Sequence, residues 1–491
     1  MDGTVARCST GVSGLDQVLH GGLLPGRAYM VRGQPGTGKT ILGLHFLTVE
    51  PSESLFVAFE EREEDIRTNA ATLGFDLSDV MILDLSPDSE SFRTRQHYDV
   101  FKPPDVEDDL TEHIVAAVDE HDPSRVFVDP LTQLRYFAPD DYQFRTEAAG
   151  FMSYLKDSDA TVVFTTQSTE VTPDEDLEYI CDGSMVLGYA TKGRTIQVTK
   201  FRGSGFQDGI HTMRIGASGL TVFPELVPGD KRTEPFDART VSTGVPEMDE
   251  LLNGGLERGT VTVISGPSGV GKTTTGSQFM SAAAENGERS VIFMFEESTD
   301  TFLHRSRAIG IPVDEMLAND TLSVREIEPL AVSPDEFAHM VREEVDQRDT
   351  SVVMIDGISG YRLSIRGEDD DLIRELHALC RYMRGMGVTT ILVDDVESIT
   401  GEFLATSERI SYLADNILFL RYLELDAQIH RAMGVLKMRA SDFERTLREF
   451  EIRADGLHLG EPMTDLRGVL SAKPVWRTSE SDGGEDTVAD E

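Results

Sequence analysis

Residues 33–40 read Gly33-Gln34-Pro35-Gly36-Thr37-Gly38-Lys39-Thr40, and residues 266–273 read Gly266-Pro267-Ser268-Gly269-Val270-Gly271-Lys272-Thr273. Both fit the spacing GxxxxGK[ST], and each stands between an apolar run that reads as a strand and a stretch with helical spacing. Glycine at these positions lets backbone N–H groups curl around a phosphate, and the helix that follows aims the positive end of its dipole at it. Lys39 and Lys272 would then reach the β- and γ-phosphates of ATP, and Thr40 and Thr273 would hold Mg2+. One match alone is compatible with an ordinary Gly-rich turn. Two in the same frame predict two nucleotide sites.

Working outward, the chain is one unit written twice. Gly11 matches Gly244, Asp16 matches Asp249, Gly21-Gly22 match Gly254-Gly255 and Lys39 matches Lys272, all offset by 233. The parallel resumes at Phe59-Glu60-Glu61 and Phe295-Glu296-Glu297, then at Val128-Asp129 and Ile355-Asp356, and again at Lys200-Phe201-Arg202 and Lys437-Met438-Arg439. A period this long is a tandem domain duplication, not a solenoid. The expected domains are 1–230 and 238–470, joined through the Pro-, Gly- and charge-rich stretch 228–237. An acidic tail, 471–491, loses all periodicity and is expected to be disordered. Within the first half, short apolar runs at 28–32, 54–59, 125–129 and 161–166 alternate with helical spacing, as at 40–49. That pattern predicts an α/β fold with a mostly parallel sheet and flanking helices. After Asp182 the runs shorten and Gly turns appear (185–188, 195–201, 211–215), predicting an antiparallel C-terminal extension.

With 491 residues the chain is too long for a single core. At 39% hydrophobic and 27% charged it is globular. No apolar run is long enough to span a bilayer, and the N-terminus lacks the apolar core of a secretory signal. Three scattered cysteines, Cys8, Cys181 and Cys380, exclude a disulfide framework and argue against a cysteine metal site. A cytoplasmic protein is expected. Acidic residues number 87 against 45 basic, a net charge of −42. Such a chain repels nucleic acid. Only 9 of the basic residues are lysines, and an acidic, lysine-poor surface resembles proteins of organisms with molar internal salt, such as halophilic archaea. Four of those lysines, Lys39, Lys200, Lys272 and Lys437, fall in the matched motifs.

Other repeated residues carry candidate chemistry. Asp129 and Asp356 each end an apolar strand, where a carboxylate reaches a Mg2+ shell through water; the alternative is a cap or turn residue. The doublets Glu60-Glu61 and Glu296-Glu297 follow the second strand of each half. Adjacent side chains on an extended segment point opposite ways, so one of each pair would face a γ-phosphate. That one would polarise a water or accept a proton; a helix cap is the competing reading. Lys200 with Arg202, and Lys437 with Arg439, share one face of a predicted hairpin. They are either a salt-bridged surface or cations presented to the ATP of a neighbouring subunit, where an arginine supplied in trans is worth about 10³–10⁵ in rate.

The order STG-x-x-x-x-D…GG, GxxxxGKT, FEE, strand-Asp, K-x-RG resembles the RecA-type ATPases of the KaiC family, and the doubled form resembles its two-domain clock members over about residues 7–470. The resemblance implies two RecA-like P-loop NTPase domains in a two-tiered ring, usually of six subunits, with ATP at subunit interfaces. It implies slow hydrolysis in the first domain, and ATPase with serine/threonine autokinase activity in the second. It places the catalytic glutamate at Glu60 and Glu296, assisted by Glu61 and Glu297. It also implies adjacent Ser and Thr phosphoacceptors before a strand of the second domain. The matching stretch reads Ile410-Ser411-Tyr412-Leu413-Ala414-Asp415, and its first-domain counterpart Leu177-Glu178-Tyr179-Ile180-Cys181-Asp182. Ser411 is therefore the candidate acceptor, and the threonine position holds a tyrosine. Because tyrosine stands in both halves, it is expected to be a packing residue. Ala440 replaces the glycine of K-x-RG, which predicts a different placement for Arg439. A signalling or timing ATPase with protein partners is the leading expectation. A DNA-dependent recombinase relative is an alternative, disfavoured by the acidic stretches 130–141 and 357–371; a nucleotide-switched interaction hub, with ATP binding but without phosphotransfer, is another. The first-half insert 86–105 would cover the site or dock a partner.

Overall fold

In the first half the apolar run that ends at the Gly-rich loop forms β1 (Ala28–Gly33). In chain order come β2 (Ser54–Ala58), β3 (Val80–Asp84), β4 (Arg125–Asp129), β5 (Thr161–Thr166), β6 (Gly183–Ala190), β7 (Gly193–Phe201), β8 (His211–Gly216) and β9 (Gly219–Phe223). The computed structural model describes residues 6–50, 53–87, 106–136, 138–167, 174–190, 193–227, 239–365, 369–396, 406, 409–425, 427–464, 466–467 and 475–476. The chain divides into two compact units, Met1–Glu225 and Leu226–Glu491. The stretch 228–237, residues 88–105 of the insert and nearly all of the tail 471–491 lie outside the described residues.

The first unit is one nine-stranded sheet in the order β3-β2-β4-β5-β1-β6-β7-β8-β9. Pairing is parallel from β3 through β6 and antiparallel from β6 to β9. The second unit repeats this. A short pair, β10 (Thr240–Val241) and β11 (Leu256–Glu257), precedes β12 (Val261–Gly266), β13 (Arg289–Met294), β14 (Leu322–Glu326), β15 (Thr350–Asp356), β16 (Thr389–Asp395), β17 (Asn416–Leu425), β18 (Gln428–Lys437), β19 (Arg448–Arg453) and β20 (Gly456–Pro462). Its main sheet runs β14-β13-β15-β16-β12-β17-β18-β19-β20, with the same switch to antiparallel pairing after β17. The expected α/β sandwich with an antiparallel extension is therefore present twice. The extension has one strand more than the short runs suggested, because the turn at 216–219 closes a further hairpin.

Period-2 alternation explains the two layers on each sheet. Tyr29, Val31, Phe56 and Phe127 face one side, where they pack with Leu42, Phe46 and Leu47 of the helix Lys39–Thr48. Ala28, Met30, Leu55, Val57, Val126 and Val128 face the other, packing with Phe144, Met152 and Leu155 of the helix Asp141–Asp157. The repeated STG-x-x-x-x-D motif builds the entry to each unit. Asp16 accepts hydrogen bonds from Ser9 Oγ (2.5 Å), Thr10 N (2.8 Å) and Thr10 Oγ1 (2.7 Å), stapling the turn to the helix Ser13–Val18. Asp249 does the same with Ser242 Oγ (2.5 Å), Thr243 N (2.8 Å) and Thr243 Oγ1 (2.8 Å).

Close packing under the loop helix gives a first prediction. A Cβ on Gly43 would lie 2.1 Å from the Phe127 ring, whereas one on the matching Gly276 would meet Met354 Sδ at 2.7 Å. A buried aromatic ring set edge-on against Phe56 (5.0 Å) gives way poorly, whereas a thioether swings aside. Gly43→Ala is expected to destabilise the first unit by about 1–3 kcal/mol, while Gly276→Ala is nearly neutral. Urea unfolding followed by circular dichroism checks the difference.

Candidate functional site

The two loops leave the C-terminal ends of β1 and β12, beside parallel β5 with β4 beyond it, or β16 with β15 beyond it. This is the edge at which open α/β sheets bind ligands. A Cβ at Gly33 would strike the Leu187 carbonyl at 2.5 Å and one at Gly266 the Leu420 carbonyl at 2.4 Å, so the loop can turn there only on glycine. Gly38 (φ 102°) and Gly271 (φ 119°) take the left-handed conformation and cap the helices that begin at Lys39 and Lys272. Gln34, Pro35 and Gly36, like Ser268 and Gly269, form an exposed rim; Thr37 and Val270 are fully buried and anchor it.

Beneath the rim the lysines are buried. Lys39 Nζ donates to the carbonyls of Gly33 (2.8 Å) and Gln34 (3.3 Å). Lys272 Nζ donates to Pro267 O (3.0 Å) and also to the Asp395 carboxylate. Burial pulls the pKa of Lys39 down, although Asp129 and Glu60 oppose this.

Thr40 Oγ1 donates to Asp129 Oδ2 at 2.6 Å, and Thr273 Oγ1 to Asp356 Oδ1 at 3.2 Å. The structure thus joins hydroxyl and strand-end carboxylate in both halves, as the cation reading requires. Among the described residues no group of three His, Cys, Asp or Glu is placed to hold a metal alone. The pairs suit Mg2+, which keeps several waters and takes its remaining ligands from phosphate. Burial pushes the pKa of both aspartates up, that of Asp356 to about 6 against its Thr273 hydrogen bond and Arg305. An acid whose pKa is higher folded than unfolded holds its proton longer in the folded state. Its contribution to stability therefore falls as pH rises from about 4 to 6, and the penalty stands in full above that. In EDTA, Asp356→Asn is expected to raise the stability of the second unit at pH 7.5 by up to about 3 kcal/mol. The variant's advantage over wild type in thermal unfolding should shrink to nothing by pH 4.

The two residues of each doublet take different partners, although both lie near the strand-end aspartate. Glu60 accepts from Gln133 Nε2 (2.5 Å) and Gln167 Nε2 (3.1 and 3.3 Å), which come from beyond β4 and β5 at the loop edge. Glu61 accepts instead from Asn69 on the helix Glu63–Thr72 (Nδ2, 3.4 Å). Glu296 lies over Gly357, where a Cβ would come within 2.8 Å of it, and faces Asp395 within hydrogen-bonding reach. Burial and that carboxylate push its pKa up. Glu297 pairs with Arg305 at 2.9 Å.

The late cations stand apart from these sites. Lys200 pairs with Ser184 on β6, which pairs with Met30 on β1. That is two strands across and three residues back from Gly33, about 14 Å by strand spacing. Register puts Lys437 at the same remove from Gly266. Lys200 Nζ donates to the carbonyls of Glu178 and Cys181 (2.8 Å to the latter), and Lys437 Nζ to those of Ser411 (3.0 Å) and Ala414 (2.6 Å). Arg202 is exposed and precedes Gly203 at φ 83°. Arg439, followed by Ala440, leans on Tyr412 O (3.3 Å) and Asp415 (3.5 Å). Ser411 is exposed on a short turn, Arg409–Tyr412, beyond the N-terminal end of β12. Its own loop leaves the other end of that strand. Tyr179 does not pack as expected, being 80% exposed; Tyr412 is 48% exposed and only stacks on the His377 ring (6.1 Å), while Leu177, Ile410 and Leu413 fill the core positions of the turn.

Several site residues were not singled out from sequence: Gln133, Gln167, Thr165, which donates to Asp129, and in the second unit Asp395 and Arg305. The Asp394-Asp395 doublet closing an apolar run was the available signal for one of them.

The chain resembles known proteins along nearly its whole length. A family model described as the KaiC ATPase matches residues 8–227 and 241–463. The circadian clock oscillator protein KaiC of Parasynechococcus marenigrum (strain WH8102) is 28% identical over 96% of this chain and 93% of its own length. The proteins of that name from Prochlorococcus marinus (strain MIT 9313) and Synechococcus elongatus (strain ATCC 33912 / PCC 7942 / FACHB-805) are 27% and 28% identical, over 96% of this chain and 96% and 92% of their own lengths.

Proposed function

The chain belongs to the KaiC family of ATPases, and from that premise we propose that both of its loops bind Mg2+ and ATP and that the first hydrolyses it, as the core of a ring-forming cytoplasmic signalling or timing protein. The observation that carries this reading is the duplicated constellation: a buried lysine under a glycine-bounded loop, a threonine hydrogen-bonded to a strand-end aspartate, and a glutamate poised across from them. Lys39 and Lys272 exchange their present partners for phosphate oxygens. Thr40 with Asp129, and Thr273 with Asp356, hold the cation, which draws off charge from the phosphates when bound. Glu60 and Glu296 orient a water or accept its proton, and Glu61 and Glu297 fix the backbone of the doublet through Asn69 and Arg305.

Autokinase activity at Ser411 belongs to the same proposal. Ser411 and Lys272 stand at opposite ends of β12, so the phosphate comes from the loop of a second copy, and a closed ring supplies that neighbour at every subunit. The test uses purified protein in molar KCl with Mg2+ and γ-labelled ATP, following free phosphate and protein-bound label together. Label on the wild type that vanishes in Ser411→Ala is the expected result. Phosphate release without bound label would leave an ATPase and remove the kinase; neither signal would remove both.

A further inference from the structure

The two sites differ at one position that faces both lysine and glutamate. In the first unit β5 pairs with β1 so that Thr166 lies beside Arg32, and Gln167 follows as the next residue. In the second, β16 pairs with β12 so that Asp394 lies beside Ser265 and Asp395 beside Gly266. Gln167 and Asp395 are therefore equivalent. Gln167 donates its amide to Glu60, and among the described residues Lys39 donates to loop carbonyls. Asp395 holds Lys272 in an ion pair and faces Glu296 across a carboxyl–carboxyl contact.

We propose that Asp395 is a positioning residue that holds Lys272 and Glu296 in the second site and so weakens, without abolishing, that site's hold on the γ-phosphate of ATP relative to ADP, while Gln167 leaves Lys39 and Glu60 uncoupled in the first. The inference rests on the reading of both loops as nucleotide sites. Its physics lies in what the loop lysine holds. The charged groups converging on the first loop are Lys39, Glu60, Glu61 and Asp129, with a neutral amide at 167. Those converging on the second are Lys272, Arg305, Glu296, Glu297 and Asp356, with a carboxylate at 395. The net charges match, and the difference is the ion pair on Lys272. A polyphosphate entering the second site must take Lys272 from a carboxylate rather than from carbonyl dipoles, and that carboxylate then faces it unpaired. Repulsion falls off with distance, so it weighs most on the outermost phosphate. ADP, which ends one phosphate earlier, is affected less. A purely structural ion pair would predict loss of stability on its removal and no change in nucleotide preference.

The test measures equilibrium binding of fluorescent methylanthraniloyl-ATP and -ADP with Mg2+. A Lys39→Ala background silences the first site. Adding Asp395→Gln is expected to tighten ATP binding by about tenfold or more and ADP binding by less than about threefold. Asp395→Asn should do the same, which guards against a packing effect of the longer amide. The reciprocal change, Gln167→Asp in a Lys272→Ala background, should weaken ATP binding at the first site more than ADP binding. ATP affinity unchanged or weakened in both Asp395 variants, with binding itself intact, overturns the inference alone. Tightening equal for ATP and ADP overturns the selection and its charge argument. Binding by neither the Lys39→Ala protein nor its Asp395 variants overturns it together with the second nucleotide site.

Discussion

Glu60→Gln is expected to lower phosphate release at the first site by about 10²–10⁴-fold while ATP still binds. The substitution is nearly isosteric, and its effect is legible because of what surrounds Glu60. Both oxygens of the carboxylate accept amide N–H groups, from Gln133 and Gln167. A carboxamide there keeps the shape and retains an oxygen for one of those donors, but it cannot take a proton from water. The neighbouring Glu61→Gln is the internal control. Glu61 turns to Asn69 on the adjacent helix, so its substitution should cost less than about tenfold, an indirect effect well below that of losing a general base. Both are measured in a Lys272→Ala background, so that released phosphate comes from the first loop. Equal losses in the two variants, or a larger one at Glu61, would reverse the assignment within the doublet.

That assignment came from the family resemblance and not from local pattern. Alternation along an extended segment requires that one glutamate of each doublet face the site, but by itself it does not say which. The answer depends on partners brought from beyond β4 and β5, residues 73 and 107 positions away from Glu60 in the chain. The loops, the strand-end aspartates and the sheet were legible because each is encoded locally, by glycine spacing and by the burial of alternate residues. The duplication doubled every such signal. Gln167 and Asp395 carry no local signature of that kind: one is an amide, the other half of an acidic pair in a chain rich in acids. Their place in the site arises only from the parallel register that sets them beside Gly33 and Gly266. Tyr179 and Tyr412 failed in the opposite direction. Repetition suggested a shared place in the core, and the turn instead buries the aliphatic residues on either side.

Repetition alone also left the late cations between two readings, and strand register narrows the choice. Arg202 follows directly on β7 and lies on the far side of β6 from the first loop. An arginine side chain does not cover that span, so any action of Arg202 on ATP must be on the ATP of another copy. Lys200 is less useful as a probe because it holds two carbonyls of the turn Glu175–Tyr179 and its cap. Arg202→Ala, in a Lys272→Ala background, is therefore expected to lower first-site hydrolysis by about 10³-fold or more. Lys39→Ala in the same background should be equally inactive, since it binds no ATP there, yet it still presents Arg202. Mixed one to one and allowed to exchange subunits, the two inactive proteins should recover activity. A competent site needs an intact loop from one copy and an intact arginine from the next, which random assembly into rings supplies at about one site in four. Recovery near that fraction would establish both the shared site and head-to-tail assembly. A mixture no more active than its components, or an Arg202→Ala protein that hydrolyses ATP normally, would return Arg202 to the surface and leave each loop to work with its own chain.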